Sequence, residues 1–90
     1  MLDLPDTNGY YVYMLECKDR SYYTGWTTHP KQRFAAHQKG KGAKYTKVHP
    51  PLACVYLEQC ESKSAALKRE YEIKQMTRKQ KEALIQKAVE

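Results

Sequence analysis

Ninety residues are enough for one domain and leave no room for a second. No apolar run approaches the roughly 18–20 residues needed to cross a bilayer. The opening Met1-Leu2-Asp3-Leu4-Pro5-Asp6 lacks the basic-then-apolar pattern of a secretory signal. Cys17, Cys54 and Cys60 are odd in number and have no CxxC spacing, which fits a reduced interior better than a disulfide frame or a zinc site. The expected location is therefore the cytoplasm. A net charge of +6 points to an acidic partner.

Residues 1–9 read as a short tail ahead of a single domain covering 10–90. The stretch 10–17 is aromatic, β-branched and apolar, which predicts a strand. Lys18-Asp19-Arg20-Ser21 suits a turn, and 22–27 reads as the antiparallel partner strand, where Gly25 permits close approach to the backbone. Pro30 fits the first turn of a helix, where its missing N–H costs nothing; the helix runs to about Lys39 and Gly40 ends it. Lys39-Gly40-Lys41-Gly42-Ala43-Lys44-Tyr45 resembles a flexible phosphate-gripping loop. After Pro50-Pro51, residues 52–57 predict a third strand. Ser62 or Ser64 can cap a helix through about Met76, and Thr77-Arg78-Lys79-Gln80 matches a capping box that starts a last helix through Leu84, Ile85 and Ala88. The expected fold is α/β of the α+β type: a three-stranded antiparallel sheet flanked by three or more helices.

The charge is unevenly placed. No acidic residue lies between Asp19 and Glu58, while Arg20, Lys31, Arg33, Lys39, Lys41, Lys44 and Lys47 all do, with His29, His37 and His49 among them. A basic block is usually a solvated face; here it carries glycines and an aromatic, and nucleic acid is the expected partner. Two tyrosine-rich runs, Tyr10-Tyr11-Val12-Tyr13 and Tyr22-Tyr23-Thr24-Gly25, precede it. Tyrosine favours strands on packing grounds alone, so the runs gain meaning only from what converges on them. On the helix after Ser62, an apolar arc of Ala66, Leu67, Tyr71, Ile73 and Met76 places Glu70 near its middle. An inward carboxylate needs a cationic side chain or a metal ion. Arg33 and His37 stand four apart on one helix face, suited to a phosphate and to a neighbouring oxygen or water.

Tyr11-Val12-Tyr13, then Tyr23-Thr24-Gly25, then Arg33, His37 and Glu70 resemble the signature of the GIY-YIG nucleases, in particular the small stand-alone bacterial proteins of that superfamily. Lys41-Gly42-Ala43-Lys44-Tyr45-Thr46 and Arg69-Glu70-Tyr71-Glu72-Ile73-Lys74 are typical stretches of those proteins. Tyr11 and Val12 stand where that motif has glycine and isoleucine, and Thr24 where it has a second isoleucine. The resemblance implies a metal-dependent endonuclease that hydrolyses phosphodiester bonds in DNA, with structured or single-stranded DNA among the expected substrates. Tyr13, Tyr23 or both would position the attacking water or draw its proton, with nearby positive charge lowering a phenol pKa, and Arg33 would stabilise the scissile phosphate. His37 would support proton transfer or phosphate contact. Glu70 would hold one divalent cation, Mg²⁺ or Mn²⁺. Lys31, Lys39, Lys41, Lys44, Tyr45 and Lys47 would contact nucleic acid. Two other readings stay open: a non-catalytic nucleic-acid-binding or recruitment module of the same fold, and a structural ion pair at Glu70 with the tyrosines as core.

Overall fold

The computed structural model describes residues 2–6 and 8–88; parts of the expected tail, residues 1 and 7, and the last two positions of the expected domain lie outside them. Three strands, β1 (Tyr10–Cys17), β2 (Tyr22–Thr27) and β3 (Pro51–Cys60), form one antiparallel sheet in the order β2-β1-β3. Helices α1 (Pro30–Gln38) and α2 (Lys44–Val48) join β2 to β3, and α3 (Lys63–Lys74) and α4 (Arg78–Ala88) follow. Among the described residues no helix is long and apolar enough to cross a membrane.

Strand β1 sits in the centre because it is apolar on both faces. Val12, Met14 and Leu15 are fully buried, and Tyr11 and Tyr13 nearly so. Alternation divides these residues between two cores. Val12 and Met14 pack with Tyr56, Ala66 and Ile73 beneath α3, while Tyr13 and Leu15 pack with Phe34 and Cys54 beneath α1. The expected tail is docked rather than free: the Leu2 amide donates to the Cys54 carbonyl at 3.3 Å, and Leu4 packs on the Tyr13–Phe34 core.

The punctuation of the chain works as its residue types dictate. In the β1–β2 turn, Asp19 Oδ1 accepts from the Ser21 amide at 3.1 Å and from its hydroxyl at 2.6 Å. Arg20 takes φ +70° there, and Arg78 Nη1 donates to its carbonyl at 2.6 Å, tying α4 to the hairpin. Gly40, at φ +76°, closes α1: its amide donates to the His37 carbonyl, and that of Lys41 donates to the Ala36 carbonyl, the double bond of a Schellman end. Ser62 caps α3 by accepting from the Ala65 amide at 3.1 Å. The capping box at α4 forms in both directions, with Gln80 N to Thr77 Oγ1 at 3.2 Å and Thr77 N to Gln80 Oε1 at 2.8 Å.

Three expectations change. The supposed loop through Lys44 and Tyr45 is the start of α2, and β3 extends on to Cys60 rather than stopping at 57. The arc of α3 is also narrower than its hydropathy implied: Leu67 and Tyr71 are exposed, at 42 % and 67 %, and Ala66, Glu70 and Ile73 form the inward ridge. The sheet sets the phase of this helix. Glu70, four residues after Ala66 and three before Ile73, therefore still faces inward.

Candidate active site

Strand β2 is a sheet edge, so side chains from the two helical layers can meet around it. They do so at Gly25. A cavity of about 270 Å³ is lined by Tyr13 of β1, Tyr23, Gly25, Trp26 and Thr27 of β2, Arg33 of α1, Gly42, and Glu70 of α3. Four of the five residues predicted to be catalytic therefore line one cavity. A side chain at Gly25 would close it, because a Cβ there would stand 2.6 Å from the Tyr13 hydroxyl and 3.1 Å from Cε2 of Tyr23. An adjoining depression of about 240 Å³ shares Thr27, Thr28 and Arg33, which makes Arg33 the divider of one continuous groove. Tyr11 is outside the lining of the cavity, and its bulk is accommodated at Gly9, where a Cβ would come within 2.8 Å of the ring.

The fifth residue, His37, stands behind the cavity. Its ring is 1 % exposed, with Nε2 bonded to the Tyr13 hydroxyl at 2.7 Å and Nδ1 to Thr46 Oγ1 at 2.7 Å. With both nitrogens taken, by the Tyr13 and Thr46 hydroxyls, the ring has no free nitrogen for a phosphate. Thr46, itself 1 % exposed on α2, was missed from the sequence. A threonine among lysines and glycines carries no periodic signal, and its partner lies nine positions away.

Tyr45 is half-committed to the fold. Its ring stacks between Tyr23 (5.8 Å between centroids) and His49 (4.4 Å), and its hydroxyl donates to Ser21 Oγ. His49 Nδ1 lies 2.6 Å from Asp19 Oδ2, so the β1–β2 turn and α2 clamp this stack at both ends. Lys39, Lys41, Lys44 and Lys47 are exposed along the α1–α2 segment. Lys31 is exposed too, but it lines a separate groove with Leu2, Leu4 and Phe34.

Burial dominates the electrostatics. It pushes the Tyr13 phenol well above its usual range, Tyr23 adds to this, and Arg33 opposes it only in part. Tyr23 shifts upward as well, by burial and then by the Glu70 carboxylate, against Arg33. The positive charge expected to lower a phenol is present and is outweighed, so both tyrosines are neutral at pH 7. Burial, helped by Arg33, pushes the His37 imidazole from 6.5 down to about 4. In that interval the unfolded chain binds a proton that the folded chain refuses. The contribution of His37 to stability is therefore complete above pH 6.5 and is lost as the pH falls toward 4. Between pH 7 and 5, urea denaturation should show about 1–2 kcal/mol more loss for the parent than for His37→Gln. Parallel profiles would exclude a buried neutral ring.

Glu70 is the anionic member of the site. Its side chain is 19 % exposed and its nearest cation, Lys74 Nζ, is 3.7 Å away, a loose contact four residues along the helix. Among the described residues no cluster of three or more histidine, cysteine, aspartate or glutamate side chains could cage a metal. The donors around the cavity are oxygens: one carboxylate, two phenols and threonine hydroxyls. That set fits Mg²⁺ or Mn²⁺ in the mode in which one carboxylate, water and substrate phosphate complete the coordination.

Neutral phenols, an arginine and one inward carboxylate meet around a sheet edge, flanked by a lysine-rich segment. The chain belongs to the GIY-YIG family: residues 9–83 match the GIY-YIG catalytic domain. It is 53 % identical to a UPF0213 protein of Staphylococcus haemolyticus, over 86 % of this chain and 94 % of the relative. The solution structure of a UPF0213 protein of Bacillus halodurans, 47 % identical, superposes with a TM-score of 0.56 over 86 % of this chain and 82 % of the other. The solution structure of a protein of E. faecalis, 37 % identical, gives 0.59 over 96 % and 90 %.

Proposed function

We propose that the protein is a metal-dependent endonuclease that hydrolyses phosphodiester bonds in DNA, with structured or single-stranded DNA as the preferred form. The observation that carries this reading is the convergence of Tyr13, Tyr23, Arg33 and Glu70 on one cavity, with the Tyr13 hydroxyl bonded to buried His37. A neutral phenol cannot act as a preformed base at pH 7. Tyr13 can instead take the proton of an attacking water as it relays a proton to His37, so that no free phenolate has to exist in the desolvated cavity. Tyr23, on the neighbouring strand, orients the same water. Arg33, exposed at the divide of the groove, forks onto the non-bridging oxygens of the phosphate, where charge grows in the transition state. A divalent cation on Glu70, when bound, supplies positive charge at the phosphate and the leaving oxygen. Lys39, Lys41, Lys44 and Lys47 hold the strand by its backbone, which makes binding salt-dependent and insensitive to sequence.

The test is cleavage of labelled single-stranded, duplex, flapped and branched DNAs with Mg²⁺ or Mn²⁺ and an EDTA control. Arg33→Ala should lower the single-turnover rate by on the order of 10²–10³-fold, with Arg33→Lys recovering part of it. No cleavage by the parent on any substrate, despite salt-dependent binding, would turn the assignment toward a binding module.

A further inference from the structure

The hydrogen bonds behind the cavity have a direction, which the heavy-atom distances alone leave open. A neutral imidazole carries one N–H, so of the two 2.7 Å contacts of His37 one is donated and one accepted. Thr46 decides which. Its hydroxyl donates to the Ala43 carbonyl at 3.2 Å, which spends its only proton and leaves its oxygen to accept from Nδ1. Nδ1 then carries the imidazole proton, Nε2 presents its lone pair, and the Tyr13 phenol donates to it. In this arrangement every donor of the chain Tyr13–His37–Thr46–Ala43 has an acceptor inside the protein. The opposite tautomer would turn the Thr46 proton away from Ala43 and leave the phenol O–H of a 5 % exposed tyrosine to find an acceptor in the cavity. The ring is also held sideways, since a Cβ at Gly42 would lie 2.4 Å from Nδ1 and 2.5 Å from Cγ.

We infer that Thr46 is a positioning residue that locks His37 in its Nδ1-protonated form, so that Tyr13 meets the incoming water as a proton acceptor. The effect on rate rests on the nuclease reading above; the position of the proton does not. Water gives one proton to the phenol oxygen while the phenol passes its own to Nε2, leaving an imidazolium whose Nδ1–H stays on Thr46. The water oxygen bonds to phosphorus, the bond from phosphorus to the leaving oxygen breaks, and that oxygen takes a proton from solvent. The imidazolium returns its proton through Tyr13 to bulk water.

Long-range ¹H–¹⁵N spectra of the ¹⁵N-labelled protein at pH 7 read the tautomer directly. His37 should show a protonated Nδ1 in the parent and in Thr46→Ser, and a mixture in Thr46→Val, which keeps the shape and removes the hydroxyl. In cleavage, Thr46→Val should lose on the order of 10²-fold in kcat with KM within about threefold, and Thr46→Ser should stay within about threefold in both. Thr46→Ala takes the place of the valine variant if thermal melting shows the latter unfolded. A proton on Nε2 in the parent, or a valine variant with the parent's spectrum and kcat, overturns the inference. A parent that cleaves nothing removes the nuclease reading alone, and the spectra still decide the tautomer.

Discussion

Glu70→Gln should leave the fold and DNA binding in place and remove cleavage, by on the order of 10³-fold or about 4 kcal/mol of transition-state stabilisation. Glutamine keeps the size and polarity of the side chain and loses only the charge. Its one ionic contact among the described residues, the 3.7 Å approach of Lys74, is long and half-exposed, and contributes at most about 1 kcal/mol. Melting temperature should therefore move little without metal. It should separate the two proteins when Mn²⁺ is added: a ligand that binds only the folded state raises stability with its concentration, so the parent should gain and the variant should not. Fluorescence anisotropy in EDTA should give similar affinities for DNA, since the lysines that grip the backbone stand on the α1–α2 segment. Equal cleavage by variant and parent would take Glu70 out of the chemistry. An equal loss of melting temperature and rate would instead make it the structural ion pair that its inward position also allows.

The elements legible in the sequence are those that announce themselves locally. Alternating aromatic and β-branched residues give β1 and β2, Pro30 and Gly40 bound α1, and Thr77 with Gln80 opens α4; each signal lies within a few positions of what it controls. Helix α2 had none. It is five residues long, follows two glycines and has Ala43 at its N-cap, which offers no side-chain cap. What holds it is distant: Thr46 on His37, and Tyr45 on Tyr23 and Ser21. The polar end of β3 was hidden for the same reason. Glu58 stays in the sheet because it accepts from Arg69 Nε of α3 at 3.0 Å, a partner eleven positions away, and from the hydroxyl of Tyr56 on its own strand. At the site, residue types in order pick out Tyr13, Tyr23, Arg33 and Glu70, which the fold brings to one cavity. The behaviour of the tyrosines was not legible, because their titration depends on how deeply they are buried, and depth is a property of the packed chain. Thr24 shows the limit from the other side: it is an ordinary strand residue by propensity, yet its hydroxyl is buried with no partner among the described residues, a cost of about 1–3 kcal/mol.

Gly42→Ala should be among the most damaging single changes outside the cavity's charged groups, and for a reason unlike that at the other glycine of the same segment. At Gly40 the backbone lies at φ +76° and an added Cβ would meet only Lys47 Cγ, at 3.8 Å. Alanine there strains the backbone, costs on the order of 1 kcal/mol and leaves the site alone. At Gly42 a Cβ would come within 2.4 Å of Nδ1, 2.5 Å of Cγ and 2.8 Å of Cε1 of His37. That ring cannot swing aside as an exposed side chain does, because Tyr13 and Thr46 hold its two nitrogens and it is almost wholly buried. The segment from Gly42 to Thr46 must move, or the ring must leave one of its partners. Overpacking of this kind costs about 1–3 kcal/mol, and a displaced ring also breaks the contact with Tyr13, so cleavage should fall by on the order of 10²-fold. Urea denaturation and single-turnover cleavage on parent, Gly40→Ala and Gly42→Ala separate the two effects. Stability should drop in both variants and rate in Gly42→Ala alone. A Gly42→Ala protein that cleaves at the parent rate would mean that the contact between His37 and Tyr13 is not needed for the reaction, which would leave Tyr13 and Tyr23 to manage the water by themselves.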